Sequence, residues 1–384
     1  PHKIHNKTML AKSILGLIFF LFLSASSIEA QYWPTTKWEK SSPHEQGFKP
    51  RSIDEMFQFM QKRKFPIDSV VIVKNGYLIG EFYANSNNEK TISNIYSVTK
   101  SFTSALVGIA IDKGHIKSEE QALGSIFLKN KIIKNDPLLQ DIKVQHLLTM
   151  TSGLKTRDNH LSNYSGIFTL RSSKNWVNYI LSLGTEKKPG EYYNYSNGSS
   201  HILAAILAEV TKVPVAKFAE RHLFSHIGIK NYKWPKDPQG INHGYSNLQL
   251  SARDMAKLGI LYLNKGQWNK RQIISSSWIE KSLNKYSYPN KGRYNPLALY
   301  PFNGYGYQWW NSETAWKADL SYRKAWGLGN NTVEQPEYYL ALGYEGQYVF
   351  ILPHHNMVVV FKSRFEKERD ILIPKALVEE FLLN

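Results

Sequence analysis

Not one cysteine occurs in the 384 residues. Disulfides, a thiolate nucleophile and cysteine-held metals are therefore excluded. The signatures of several enzyme classes are missing too. There is no Gly-x-Ser-x-Gly elbow, no His-Glu-x-x-His helix and no phosphate-binding loop. No apolar run approaches the ~20 residues that a membrane-crossing helix needs. Acidic residues are outnumbered 31 to 48 by basic ones, leaving a formal charge of +17. Such a balance suits anionic surroundings. The lysines are nevertheless spread along the whole chain, with no basic run interleaved with aromatics, so nucleic-acid binding is not expected. No internal repeat or low-complexity tract is present.

What is present suits a globular protein: 42% hydrophobic residues, 13% of the chain aromatic. Near the start, Lys12, the apolar run Ile14 to Leu23 and the small, polar stretch Ser24 to Ala30 have the layout of a secretory signal peptide. With Met9 as the expected start, residues 1–30 are read as a removable leader and 31–49 as a lead-in. The mature protein is expected to be exported, to the bacterial periplasm or beyond. No cysteine follows that could carry a lipid, so no stable membrane anchor is expected after cleavage. Residues 50–384 are read as the functional domain.

Within that domain the pattern changes twice. Pro50 to Arg63 has helical spacing. Two β-branched and aromatic runs then flank Asn75-Gly76, a strong hairpin signal. From 117 to 285 helices and loops dominate, including Val144 to Leu154, Asn175 to Leu183, Ser200 to Thr211, Val215 to Ile227 and Leu250 to Lys265. Strands return after 286, at Tyr305 to Trp310, Tyr338 to Tyr344, Gln347 to Leu352 and Met357 to Ser363, before a closing helix. The expected fold class is α+β: an antiparallel sheet from 50–116 and 286–384, flanked by helices, with a mostly helical lobe inserted at 117–285.

The stretch Asn94 to Gly114, NIYSVTKSFTSALVGIAIDKG, is the centre of this plan. It is apolar on nearly every side, as a helix buried in mid-domain would be. Ser97 is expected at its start, as a cap or first-turn residue, and Gly114 as its stop. Ser97 and Lys100 are three apart and share a face. Ser-x-x-Lys also fits a capping serine beside a solvated lysine. The apolar run directly behind the pair favours the chemical reading: a lysine at the mouth of a buried helix can take the proton of a neighbouring hydroxyl.

A second cluster, Tyr195-Ser196-Asn197, precedes a helix. With Ser97-Val98-Thr99-Lys100 it resembles the first two motifs of the serine β-lactamase and penicillin-binding protein superfamily, in its class C and esterase branch, whose second motif is Tyr-x-Asn. His146 to Gly153, Pro189-Gly190, Ser251 to Asp254 and Tyr305-Gly306-Tyr307 extend the resemblance over about Ser52 to Lys375. It implies an acyl-enzyme on Ser97, activated by Lys100, with Tyr195 relaying the proton of the leaving group. Whether Lys100 or Tyr195 is the acylation base stays open. Asn197 would hold Lys100 and the substrate, and the backbone N–H groups of Ser97 and Tyr344 would form an oxyanion hole. The third motif departs from the pattern. Ala341-Leu342-Gly343 keeps the glycine but has no basic residue, and Gly343 to Gln347 resembles 6-aminohexanoate-dimer hydrolase and esterase members. The expectation is an ester- or amide-cleaving serine hydrolase acting on a small or peptide-like substrate without metal or cofactor. The alternatives are a β-lactamase or D-Ala-D-Ala peptidase, and a non-catalytic protein on the same fold. His146 and His201 are expected to pack or cap. Substrate choice is expected in loops such as Arg157 to Arg171 and Asn290 to Asn303.

Overall fold

In the computed structural model the described residues are 31–49, 51–156, 165–288, 304–312, 320–329 and 338–383. The expected leader and most of the two expected specificity loops lie outside them. Among the described residues, helix α1 (Ser52–Arg63) leads into the hairpin β1 (Ile67–Lys74) and β2 (Tyr77–Tyr83). Asn75 and Gly76 both take the positive φ that such a tight turn requires. Short strand β3 (Ser93–Asn94) then opens onto helix α2 (Thr99–Asp112). The lobe that follows includes α3 (Val144–Leu148), α4 (Trp176–Ser182), α5 (Asn197–Thr211), short strand β4 (Gln249–Leu250), α6 (Ala252–Leu263) and α7 (Ser276–Leu283). The last part carries β5 (Gly304–Tyr305), β6 (Trp310–Ser312), helix α8 (Leu320–Trp326), β7 (Tyr338–Gly343), β8 (Gln347–Leu352) and β9 (Met357–Ser363).

Among the described residues seven strands form one antiparallel sheet in the order β2-β1-β9-β8-β7-β6-β5. Strand β9 therefore sits between the first strand of the domain and β8, joining the two ends of the chain. Its sequence, MVVVFKS, is buried on both faces, and alternate residues enter different cores. Val358 and Val360 pack toward α2 and α6, whereas Met357, Val359 and Phe361 pack toward α1 and the C-terminal helical turns. A run of apolar residues without polar alternation is what a strand covered on both sides requires. The α+β class and the sheet built from both ends are as the sequence implied.

Several local expectations are corrected. Residues 96–98 form a separate 3₁₀ turn, and α2 proper begins at Thr99, so Ser97 lies just before the helix and caps none of its N–H groups. From Thr99 to Ala110 every residue of α2 is buried. Helix α3 ends at Leu148 rather than Leu154, because Met150 turns left-handed (φ 59°). Helix α5 begins at Asn197, not Ser200, because the Ser196 Oγ caps it by accepting from the Ser199 N–H at 2.9 Å. Tyr305 to Trp310 is two short strands joined by a turn at the left-handed Gln308 (φ 63°). The Val215 to Ile227 segment and the closing helix each contain a π-helical turn.

One lysine inside this frame has a measurable signature. Lys362 on β9 is 3% exposed and donates to the Ser93 and Leu250 carbonyls, pinning the β3–β4 pair onto the sheet. Burial pushes its ammonium down to about 7, and the fields of Asp68 and Asp254 do not offset this. Because the folded value lies below the unfolded one, the unfolded chain binds more protons between pH 7 and 10, and stability rises across that window. The unfolding free energy of wild type minus that of Lys362→Met should climb by on the order of 3 kcal/mol from pH 7 to pH 10. Urea melts at each pH measure this, and a flat difference would show that the burial cost is not realised.

Candidate active site

The turn that carries Ser97 is held from both sides. Asn94 Oδ1 accepts from the Tyr96 N–H at 2.8 Å, and Tyr96 is left-handed (φ 47°). Ser97 is half-buried, within reach of solvent, and Lys100, one turn further on, is only 2% exposed. The Lys100 Nζ donates to Ser97 Oγ at 2.9 Å, to Asn197 Oδ1 at 2.7 Å and to the Tyr245 carbonyl at 2.9 Å. An ammonium has three N–H donors, and each finds an acceptor here. The nitrogen also lies 5.0 Å from the Tyr195 ring centre and 5.8 Å from that of Tyr245.

Asn197 reaches Lys100 because it is the first residue of α5. Tyr195 precedes the Ser196 cap and stacks on Trp310, with ring centres 5.9 Å apart and planes 21° apart. Its loop is tied to Met150, whose carbonyl accepts from the Asn194 N–H at 2.8 Å and whose sulfur accepts from the Ser196 N–H at 3.3 Å. The left-handed Met150 thus orients the loop between Tyr195 and α5.

Gly343 ends β7 against the Ser97 turn. A Cβ there would lie 2.5 Å from the Ile95 carbonyl and 3.2 Å from the Ser97 nitrogen, so only glycine allows this approach. Tyr344 follows directly, its ring edge-on to that of Tyr96. The structure therefore gathers Ser97, Lys100, Tyr195 and Asn197 around one amine and brings Gly343 to the same turn, with Tyr344 next in the chain. Ala341 is 1% exposed and packs within the core, so no cation stands on that strand.

Two contributors were not read from the sequence. The Tyr245 acceptor is a backbone carbonyl and leaves no residue signature. Gln308 had one signal, a lone amide in the aromatic run YGYQWW. Its Oε1 accepts from Ser200 Oγ at 2.7 Å, its Nε2 donates to the Leu147 and Leu148 carbonyls, and its carbonyl accepts from Ser101 Oγ at 2.8 Å. One side chain and its backbone thereby join α2, α3 and α5. The histidines do other work. His146 Nδ1 accepts from the Lys143 N–H at the start of α3. His201 Nε2 lies 3.0 Å from Asp237 Oδ2 with both side chains fully buried, and Asp237 Oδ1 accepts from the Gln239 and Ile241 N–H groups. His243 sits near Trp176 and stacks on Tyr245, and burial pushes its value down to about 4.

A family model described as Beta-lactamase matches residues 54–376. An uncharacterised protein of Alkalihalophilus pseudofirmus is 25% identical over 325 residues, covering 76% of this chain and 82% of that protein. The 6-aminohexanoate-dimer hydrolase of Paenarthrobacter ureafaciens is 20% identical over 256 residues, and the match spans 63% of this chain and 64% of that enzyme. Among solved structures, a family VIII carboxylesterase superposes with a TM-score of 0.62 at 15% identity, covering 85% of this chain and 96% of its own.

Removing the Gln308 amide would leave the Leu147 and Leu148 carbonyls and the Ser200 hydroxyl short of a buried partner. Gln308→Ala should therefore destabilise the fold by about 2–4 kcal/mol, because three groups each lose a buried bond and keep only the contacts from the Met150 and Gln308 N–H groups and to the Ser196 carbonyl. Chemical denaturation with an unchanged m-value is the expected readout, and a loss below about 0.5 kcal/mol would remove Gln308 from its tying role.

Proposed function

This chain belongs to the beta-lactamase family, and from that membership we propose that it is an exported serine hydrolase that cleaves esters or amides through an acyl-enzyme on Ser97. The observation that carries the reading is the 2.9 Å contact between Ser97 Oγ and a buried Lys100 amine that also donates to the acceptors Asn197 Oδ1 and the Tyr245 carbonyl. With Lys100 neutral, its two N–H groups still serve Asn197 and the Tyr245 carbonyl, and its lone pair turns to the Ser97 hydroxyl. Ser97 Oγ then attacks the substrate carbonyl as its proton leaves toward Lys100 or the Tyr195 oxygen. The C–O or C–N bond breaks, and the leaving group takes the proton back along the same relay. Water repeats the sequence in reverse and frees Ser97. The Ser97 and Tyr344 N–H groups are the donors for the oxyanion, each worth about 3 kcal/mol when aligned. Export rests on the Met9 to Ala30 layout alone.

An ester or amide is favoured over a β-lactam because Ala341 offers no cation for a lactam carboxylate. The first charged residue beyond it is Glu345. The carboxylesterase and the 6-aminohexanoate-dimer hydrolase among the similar proteins support the same substrate classes.

A fluorophosphonate should form one adduct, with a new Ser97 Oγ–P bond and loss of fluoride. Peptide mapping should place it on Ser97. Labelling that persists in Ser97→Ala would assign the nucleophile elsewhere. Tyr195→Phe should reduce turnover by roughly 10²–10⁴-fold if the phenol relays the proton, and an unchanged rate would confine Tyr195 to packing.

A short-chain p-nitrophenyl ester should outrun a chromogenic cephalosporin in kcat/KM on the same preparation. A missing charged hydrogen bond corresponds to about 1.5–3 kcal/mol, or a ~10- to 150-fold weaker lactam transition state. A faster cephalosporin would overturn the ester and amide assignment.

A further inference from the structure

Two backbone distortions bracket the two amides assigned to the oxyanion hole. Tyr96, immediately before Ser97, has φ 47°, and Glu345, immediately after Tyr344, has φ 62°. Neither is one of the residue types that enter the left-handed region easily. The two are joined directly: the Tyr96 hydroxyl donates to Glu345 Oε1 at 2.9 Å across 249 positions of sequence. The Tyr96 ring also meets the Tyr344 ring edge-on, with centres 5.6 Å apart and planes at 74°. Each end is anchored a second time. The Tyr96 N–H donates to Asn94 Oδ1 at 2.8 Å, and the Glu345 carbonyl accepts from the Phe365 N–H at 3.1 Å.

We propose that the Tyr96–Glu345 hydrogen bond sets the oxyanion hole, by locking two left-handed residues so that the Ser97 and Tyr344 N–H groups converge on one point. This rests on the acyl-enzyme reading above and adds two positioning residues to it. The two amides belong to segments far apart in sequence, the turn before α2 and the end of β7. Gly343 lets those segments touch but supplies no side-chain bond between them. Oxyanion donors act only when they lie about 2.7–3.1 Å from the developing charge, so small drift of one segment against the other is costly to catalysis. The Tyr96–Glu345 bond restrains that drift, and it also holds both φ angles in the region that aims the neighbouring N–H groups.

The test compares a p-nitrophenyl ester with its thiono counterpart, in which sulfur replaces the carbonyl oxygen. Sulfur is larger and a poorer acceptor, so a well-set hole prefers the oxygen substrate. Tyr96→Phe and Glu345→Ala should each lower kcat for the oxygen ester roughly 10-fold with KM within about twofold, while the thiono ester loses less than about threefold. The preference for oxygen should narrow accordingly. The double variant should be no worse than either single one, since both break the same bond. Glu345→Gln keeps an acceptor oxygen and should recover to within about threefold of wild type. Equal losses on both esters, an unchanged kcat in Tyr96→Phe, or multiplying losses in the double variant would overturn the inference. If Tyr96→Phe fails to fold by circular dichroism, the Glu345→Ala and Glu345→Gln pair carries the comparison. Where turnover is too slow to read, the rate of Ser97 phosphonylation replaces kcat. Ester hydrolysis that survives Ser97→Ala would instead bring down the acyl-enzyme reading, a result separate from the behaviour of Tyr96 and Glu345.

Discussion

Keeping one primary amine out of water constrains the whole centre of this protein. Lys100 is all but fully buried, and its nitrogen has to meet acceptors inside the fold. A buried donor that loses its acceptor costs about 1–3 kcal/mol, and more if it is charged. The three acceptors belong to three places: the turn before α2, the first residue of α5, and a carbonyl between α5 and β4. The contacts around the site read as the means of delivering those segments. The His201–Asp237 pair fixes residues 237–241 to α5, in the connection that goes on to Tyr245. Gln308 fixes α5 to α2 through Ser200 and Ser101. Because both Asn197 and Tyr245 accept, the same scaffold serves the amine with or without its third proton.

The sheet solves a different problem, that of bringing an end of β7 to a turn almost 250 residues earlier. Placing β9 between β1 and β8 does it, because β1 leads through β2 and β3 to the Ser97 turn while β8 and β7 lie on the other side. Lys362 extends the effect. From β9 it binds the carbonyls of Ser93 and Leu250, and so ties the strand pair just before Ser97 to the middle of the sheet. The Ser97 turn is therefore tied to the strand that also orders β8 and β7.

Much of this was legible in the sequence, for a physical reason. Apolar periodicity, the Asn75-Gly76 turn and the strands near the end all reflect burial and local backbone preference, and they gave the architecture. Ser97, Lys100, Tyr195 and Asn197 stood out by residue type and spacing, and the structure brings them together around one amine. Element ends were less legible. Ser196 caps α5 three residues earlier than the apolar pattern suggested, because capping is set by one side-chain oxygen. Helix α3 stops early because Met150 turns left-handed, which nothing about methionine foretells. The Tyr245 carbonyl could not be seen at all, since every residue has one.

The backbone itself marks where this sequence is under demand. Among the described residues, thirteen that are not glycine have positive φ. Asparagines and lysines account for nine, at positions such as Asn75 in the hairpin turn and Lys64 and Lys212 at the ends of α1 and α5. The other four are Tyr96, Met150, Gln308 and Glu345, and all four border the site. Each such residue costs of order 1–3 kcal/mol and persists only where its surroundings over-determine it. Here the surroundings can be named: Asn94 and Glu345 for Tyr96, the Asn194 and Ser196 N–H groups for Met150, the α2, α3 and α5 contacts for Gln308, and Phe365 for Glu345. Strain gathered in four residues around one serine, and held by bonds from distant segments, is difficult to explain as packing economy. A core needing only stability would relax these positions to glycine or asparagine. With tyrosine, methionine, glutamine and glutamate there instead, the side chains serve as ties while the backbone is held bent.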